Sequence, residues 1–358
     1  MAEAPAFIGK DDIKAAVSSG LLSEAQAVQL ISLSDSRRGA RENLSAGDEP
    51  FELFKGFNEI FIVVGLIILA TGWYAITGIS FFSEVNNLQT YWAGVSAISA
   101  VVLWLLSEYF IRRRRMVAPA IALSIMFAGN AAMGFISLYS EPFMVAQDNY
   151  ESVPMPLLAA TLLLFIFWWR FRVPFALATI ALGLFATAII LAASQGGQIR
   201  APADLFLLSA DGPFAWITLI LGLVVFAAAM WFDMSDPHRV TRRAANGFWL
   251  HIVAAPMLIN TIALTLFDHQ ATYLLVGVLA VFALVAIVID RRSFLITAVG
   301  YMVALSQTVF EGESLALTVL ILGITLLLLG AFWEKVRARI LKLFAKALPL
   351  DRLPPSYT

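Results

Sequence analysis

Residues 58–79 read NEIFIVVGLIILATGWYAITGI, and this stretch decides the fold. The hydrocarbon core of a bilayer is about 30 Å thick and takes about 20 apolar residues of helix to cross. Lipid supplies no partners for backbone N–H and C=O groups, so a crossing segment of this kind has to be helical. Working outward, comparable stretches recur at 91–110, 117–138, 154–169, 174–193, 214–232, 246–266, 272–289, 294–309 and 314–333. The expected fold is therefore all-α, a polytopic membrane protein of about ten transmembrane helices. The 154–169 and 294–309 spans are short and sit close to a neighbouring span, so each pairing reads as a tight antiparallel hairpin.

Composition agrees. Of 358 residues, 60% are hydrophobic and 14% charged, with a mean hydropathy of +0.82. A soluble domain carries roughly 25% charged residues, so this much apolar surface calls for lipid as solvent. A net charge of −1 argues against nucleic acid as a partner, and the absence of cysteine excludes disulfides and thiolate chemistry.

Lys and Arg concentrate in the short cytoplasmic loops of membrane proteins. Assigning alternate connections to opposite faces puts 23 of the 24 basic residues on one face and Arg200 alone on the other. The outer face then carries nine acids, from Glu84 to Glu313, and a net charge of −8. This segregation places both termini in the cytoplasm, because removing one span would expose a cluster such as Arg112 to Arg115.

Three regions are expected: a cytoplasmic helical hairpin and linker at 1–47, the ten-span domain at 48–333, and a basic amphipathic tail at 334–358. Residues 1–56 are polar, with no early apolar run, so no cleavable signal is expected. Residues 10–20 read as a short helix begun by Asp11 or Asp12 and stopped at Gly20. Ser23 precedes Gln26 with capping-box spacing, Leu22 and Ala27 can staple the start, and a second helix runs to about Arg41. Its stripe of Val28, Leu30 and Ile31 is too small for an independent core, so the hairpin is expected to rest on the membrane domain, on its own copy in a homo-oligomer, or on a protein partner. Residues 43–50 form a joint. Pro50 then starts an interfacial helix with Phe51, Phe54 and Phe57, from which Lys55 snorkels to phosphates. At the other end Val336, Ile340, Leu343 and Phe344 oppose Lys335, Arg339, Lys342 and Lys346, the pattern of a helix lying on anionic lipids.

The runs GLLSEAQAVQLI (20–31), FELFKGFNEIFIVVGLIIL (51–69) and FWLHIVAAP (248–256) resemble uncharacterised polytopic bacterial membrane proteins, predicted membrane proteins of domain-of-unknown-function families. In these a short helical hairpin with a Gly-Leu/Ile-Ser signature precedes a many-helix domain. The resemblance covers about a quarter of the chain. It implies a bacterial cytoplasmic (inner) membrane and carries no activity or site residues. Four basic hairpins, at 107–120, 167–178, 236–247 and 288–298, share a form that the charge rule alone would generate, and no inverted repeat is read from them.

Polar side chains at depth are costly and mark function by default. Glu59, Glu108 and Asp290 fall within a turn of span ends, where water is expected to reach them. Asn130 lies mid-span among small residues, His251 and Asn260 lie on opposite sides of the seventh span around Pro256, and Gln307 lies late in the ninth. Interhelical hydrogen bonding explains each most simply. If a solute crosses, its path runs beside His251, Pro256, Asn130, Asn260 and Gln307. Asp233, Asp236 and His238 could hold a cation, but the string reads better as a turn in a solvated loop beside arginines. No catalytic, cofactor-binding or metal-binding motif is recognised, so no cofactor is expected and an enzyme ranks last. A structural or regulatory membrane component that docks through its hairpin ranks first, ahead of a transporter or channel.

Reporter fusions after residues 85, 147, 205, 269 and 312 should read external and those after 115, 171, 240 and 291 cytoplasmic. Two adjacent sites reading the same side would overturn the ten-span topology.

Overall fold

A computed structural model describes residues 9–37, 57–81, 88–141, 144–147, 149–237, 239, 241–292, 313–346 and 349–354. Among these residues there is no β-strand. The elements are α1 (Lys10–Ser18), α2 (Glu24–Arg37), α3 (Phe57–Phe81), α4 (Leu88–Ser107) with a π-helical end (Glu108–Arg113), α5 (Ala118–Tyr139), a single turn α6 (Met144–Gln147), α7 (Pro154–Phe171), α8 (Pro174–Ser194), α9 (Phe214–Met234), α10 (Arg242–Asp268), α11 (Thr272–Ile289) and α12 (Glu313–Leu343). Short 3₁₀ turns occupy Pro202–Leu205 and Leu350–Arg352. Eight helices, α3, α4, α5 and α7 to α11, are long and apolar enough to cross a membrane. They match the first eight expected spans. The ninth, 294–309, lies outside the described residues together with Gln307, Lys55 and the 43–50 joint. The tenth falls in α12, which kinks at Phe332 (φ −115°, ψ 18°) before its basic half begins.

The chain forms two compact units. One comprises residues 51–225 and 260–269, the other 1–50, 226–259 and 270–358, so α9 and α10 contribute residues to both.

In the first unit α4 pairs with α5, α5 with α7, and α7 with α8. Trp104, Phe127, Phe167 and Phe171 fill the interior, with Phe127 and Phe167 stacked at 4.7 Å. Small residues let backbones approach. A Cβ on Gly183 would lie 2.5 Å from Thr161 Oγ1, and one on Gly134 would lie 2.8 Å from Ser96 Cβ. The α7–α8 connection is two residues long. Arg172 ends α7 in the left-handed conformation (φ 54°), its N–H 2.7 Å from Trp168 O, and Pro174 starts α8 where a missing N–H costs nothing.

The hairpin follows its capping signals. The Ser23 N–H donates to Gln26 Oε1 at 3.0 Å, and the Gln26 N–H donates back to Ser23 Oγ at 3.3 Å. Gly20 turns the chain at φ 77°. Ile13, Ala27 and Val28 are buried with Val17, Leu22 and Ile31 packed against them. Leu30 is exposed, one step of the helix away from that core.

Gly183→Ala should cost about 1–3 kcal/mol, because Thr161 is β-branched and its hydroxyl is held by Leu157 O. Thermal unfolding in detergent measures this, and adding Thr161→Ala should recover most of the loss. An unchanged melting temperature for Gly183→Ala would disprove the close approach.

Candidate functional site

The polar side chains of the second unit converge on the carboxylate of Asp233. This residue sits in the last turn of α9, not in a loop, and is buried. His251, on the third turn of α10, is fully buried with Nε2 2.8 Å from Asp233 Oδ2. Arg291, directly after α11, clamps the same carboxylate from Nε to Oδ2 (2.9 Å) and from one terminal nitrogen to Oδ1 (2.6 Å), and that nitrogen also reaches Ala244 O (3.0 Å). Burial lowers the Arg291 pKa to about 9, which leaves the guanidinium protonated at neutral pH. Phe226 closes one side of the imidazole edge-on at 5.6 Å. Gly247 makes the approach possible, since a Cβ there would collide with the Asp233 carboxylate.

Two further carboxylates extend the set. Asp236 is buried ahead of α10: its Oδ2 accepts from the Thr241 N–H (2.9 Å), the Thr241 hydroxyl (2.6 Å) and the Ala244 N–H (3.4 Å). The expected turn is present, with the Arg239 N–H on Asp236 O at 3.0 Å, but the carboxylate is buried instead of solvated and meets free amides and the positive end of the α10 dipole. Asp290 ends α11 in the left-handed conformation (φ 55°). It receives Arg239 at 2.9 Å on Oδ2 and Trp333 Nε1 at 2.7 Å on Oδ1, while Arg239 also donates to its carbonyl. Arg337 is fully buried and donates to the Ile287, Val288 and Pro354 carbonyls. Three aspartates and three arginines therefore balance, with each charge partnered at hydrogen-bond distance.

Of the sequence-predicted path residues, Asn130 lies on α5 and His251, Pro256 and Asn260 lie on α10. His251 and Pro256 belong to this unit, Asn130 and Asn260 to the other. Asn130 is interhelical glue of the expected kind: its Nδ2 donates to Ser96 O at 2.9 Å, and it accepts the Tyr74 hydroxyl at 3.4 Å. Pro256 lies inside a continuous α10, and Asn260 is half-buried. Glu59 and Asp290, expected in water, are buried. Glu59 accepts the N–H groups of Val117 (3.2 Å) and Ala118 (2.9 Å) at the start of α5. Glu108 does keep partial exposure and pairs with Arg170 at 2.7 Å. Asp233 as the partner of His251 was missed. The two lie on different helices with a turn between them, so no spacing along one helix pairs them, and the one available signal was Asp233 placed a residue before the end of an apolar run. His238, the third member of the string, lies outside the described residues, among which no three His, Asp or Glu side chains are arranged to hold a metal. A shallow groove of about 210 Å³ lies elsewhere, lined by Ala338, Leu341, Lys342, Ala345, Leu350, Leu353 and Pro354.

His251 follows the left-handed Arg239 by twelve residues, as Phe127 follows the left-handed Arg115. The same step along the chain thus leads to an aromatic cluster in one unit and to an ionic cluster in the other. The chain matches no protein-family model, no curated protein and no solved structure.

Asp233→Leu would leave Arg291 buried without its counter-charge and should destabilise the protein by about 3–5 kcal/mol. The double substitution Asp233→Leu, Arg291→Met should recover most of that loss in thermal unfolding. A double variant no more stable than the single one would show that the ion pair is not what holds α9 to the end of α11.

Proposed function

We propose that this chain is a structural or regulatory component of a bacterial cytoplasmic membrane, with ten spans and both termini inside, that docks a protein partner through its N-terminal hairpin. The observation that carries this reading is the hairpin itself. It closes a small core of its own and still leaves Leu21, Leu30 and Leu33 exposed, with Leu21 80% accessible. Apolar side chains held outward on a capped, pre-ordered pair of helices cost little further entropy on binding. The charge-matched cluster around Asp233 fits the same reading, because it fastens helix ends together. The membership suggested by the sequence resemblance, in a hairpin-bearing family of bacterial membrane proteins, supports the setting.

A transporter or channel for a small solute is the second reading, and His251 favours it. A ring with two polar nitrogens that lies inside a membrane-length helix and shares a carboxylate with an arginine can orient a polar solute. Its mark would be loss of flux in His251→Phe at unchanged thermal stability, in vesicles holding the full chain. The path would then run beside His251 and Pro256, with Asn130, Asn260 and Gln307 to be tested in turn.

The docking reading is tested in intact cells with a photo-crosslinking residue placed at 30 or 33 of the full chain. An adduct at the combined mass of this chain and another protein, lost in Leu21→Ser, is expected. An adduct at twice the chain mass would assign the docking to a second copy. Absence of any adduct at both positions would refute docking through this face.

A further inference from the structure

The cytoplasmic half of α12, after the kink at Phe332, has two working faces. Trp333, Arg337, Ala338 and Leu341 are buried: Trp333 holds Asp290 and Arg337 holds carbonyls in the last turn of α11, while Ala338 and Leu341 border the groove closed by Leu353 and Pro354. Lys335, Arg339, Lys342 and Lys346 are exposed. At about 100° per residue Lys335, Arg339 and Lys342 fall within about 60° of arc, a single stripe on the side of α12 opposite Trp333 and Arg337, and Lys346 follows in the turn beyond the helix end at Leu343. Leu343, 79% accessible, and the half-buried Val336 and Ile340 flank the stripe. Over residues 334–346 the sole acid is Glu334. The kink directly follows the apolar run of α12, so the stripe begins where a span would leave the hydrocarbon.

From this arrangement we infer that the stripe is a binding site for anionic phospholipid, and that lipid held there clamps α12 onto the end of α11. Each basic residue near an anionic leaflet contributes about 1 kcal/mol of attraction, and an exposed leucine beside the stripe gains by entering the acyl boundary. Arg337 cannot share in this, because its guanidinium is spent on the Ile287, Val288 and Pro354 carbonyls. The two faces alternate along the same three turns. Charge neutralisation on the outer one therefore favours the geometry in which the inner one keeps its hydrogen bonds to α11. The inference is independent of hairpin docking and of any solute path.

The test compares the full chain in nanodiscs of phosphatidylcholine alone with nanodiscs containing phosphatidylglycerol. Phosphatidylglycerol should raise the melting temperature by several degrees and slow amide exchange over residues 284–292, and both effects should shrink at high salt. The variant with Lys335, Arg339, Lys342 and Lys346 all changed to Gln should lose both effects. A variant with the three lysines changed to Arg should keep them, which separates lost charge from lost folding. Equal behaviour in the two lipids, or an undiminished phosphatidylglycerol effect in the Gln variant, would overturn the inference.

Discussion

One carboxylate, that of Asp233, ties three parts of the chain that are distant in sequence. It is in the last turn of α9, takes the imidazole of α10 and is forked by the guanidinium that follows α11. Bringing two charges out of water costs several kcal/mol per ion, and mutual attraction repays that only when geometry and remaining hydrogen bonds are good. Here geometry meets the first requirement: Arg291 forks the carboxylate and also reaches Ala244 O, and the position that would block the contact is a glycine. The net worth of such a cluster is small beside the penalty for breaking it. It therefore acts as a selector of one helix arrangement more than as a source of stability.

The same device recurs at three helix ends among the described residues. Glu59 accepts from the first amides of α5 and Asp236 from those of α10, so each acid meets the positive end of a helix. Arg337 does the converse for α11, donating to the Ile287 and Val288 carbonyls of its last turn. Satisfying helix ends with side chains from elsewhere in the chain converts a local requirement of the backbone into a tertiary contact. That is how a protein rich in interchangeable aliphatic residues acquires a defined set of neighbours.

How much of this could be read beforehand follows from the range of the interactions concerned. Length of apolar run, proline at a first turn and the Ser23–Gln26 capping box act within a few residues, and the first eight spans and the hairpin were legible from them. Burial of Asp233, Asp236, Glu59 and Asp290 was not, because acids near the end of an apolar run look alike whether they face water or a guanidinium fifty residues away. Arg337 shows the point from the other side. Five basic residues follow one another along the start of the tail, and nothing in their order reveals that this one turns inward. Leu30 departs from its expected stripe for a simpler reason: two short helices can bury only one narrow face, and Val28 and Ile31 occupy it.

The left-handed residues Arg115, Arg172, Arg239 and Asp290 have a consequence for what can approach the basic turns in which they lie. Arg172 and Val173 are all the chain between α7 and α8, and four residues, 114–117, separate the π-helical end of α4 from α5. A protease needs a stretch of backbone it can draw out straight, and these turns offer none without unwinding a helix. Basic as they are, such corners resist trypsin-like cleavage and leave no slack into which a further domain could be inserted. Tolerance to insertion therefore falls to segments that are not pinned at both ends.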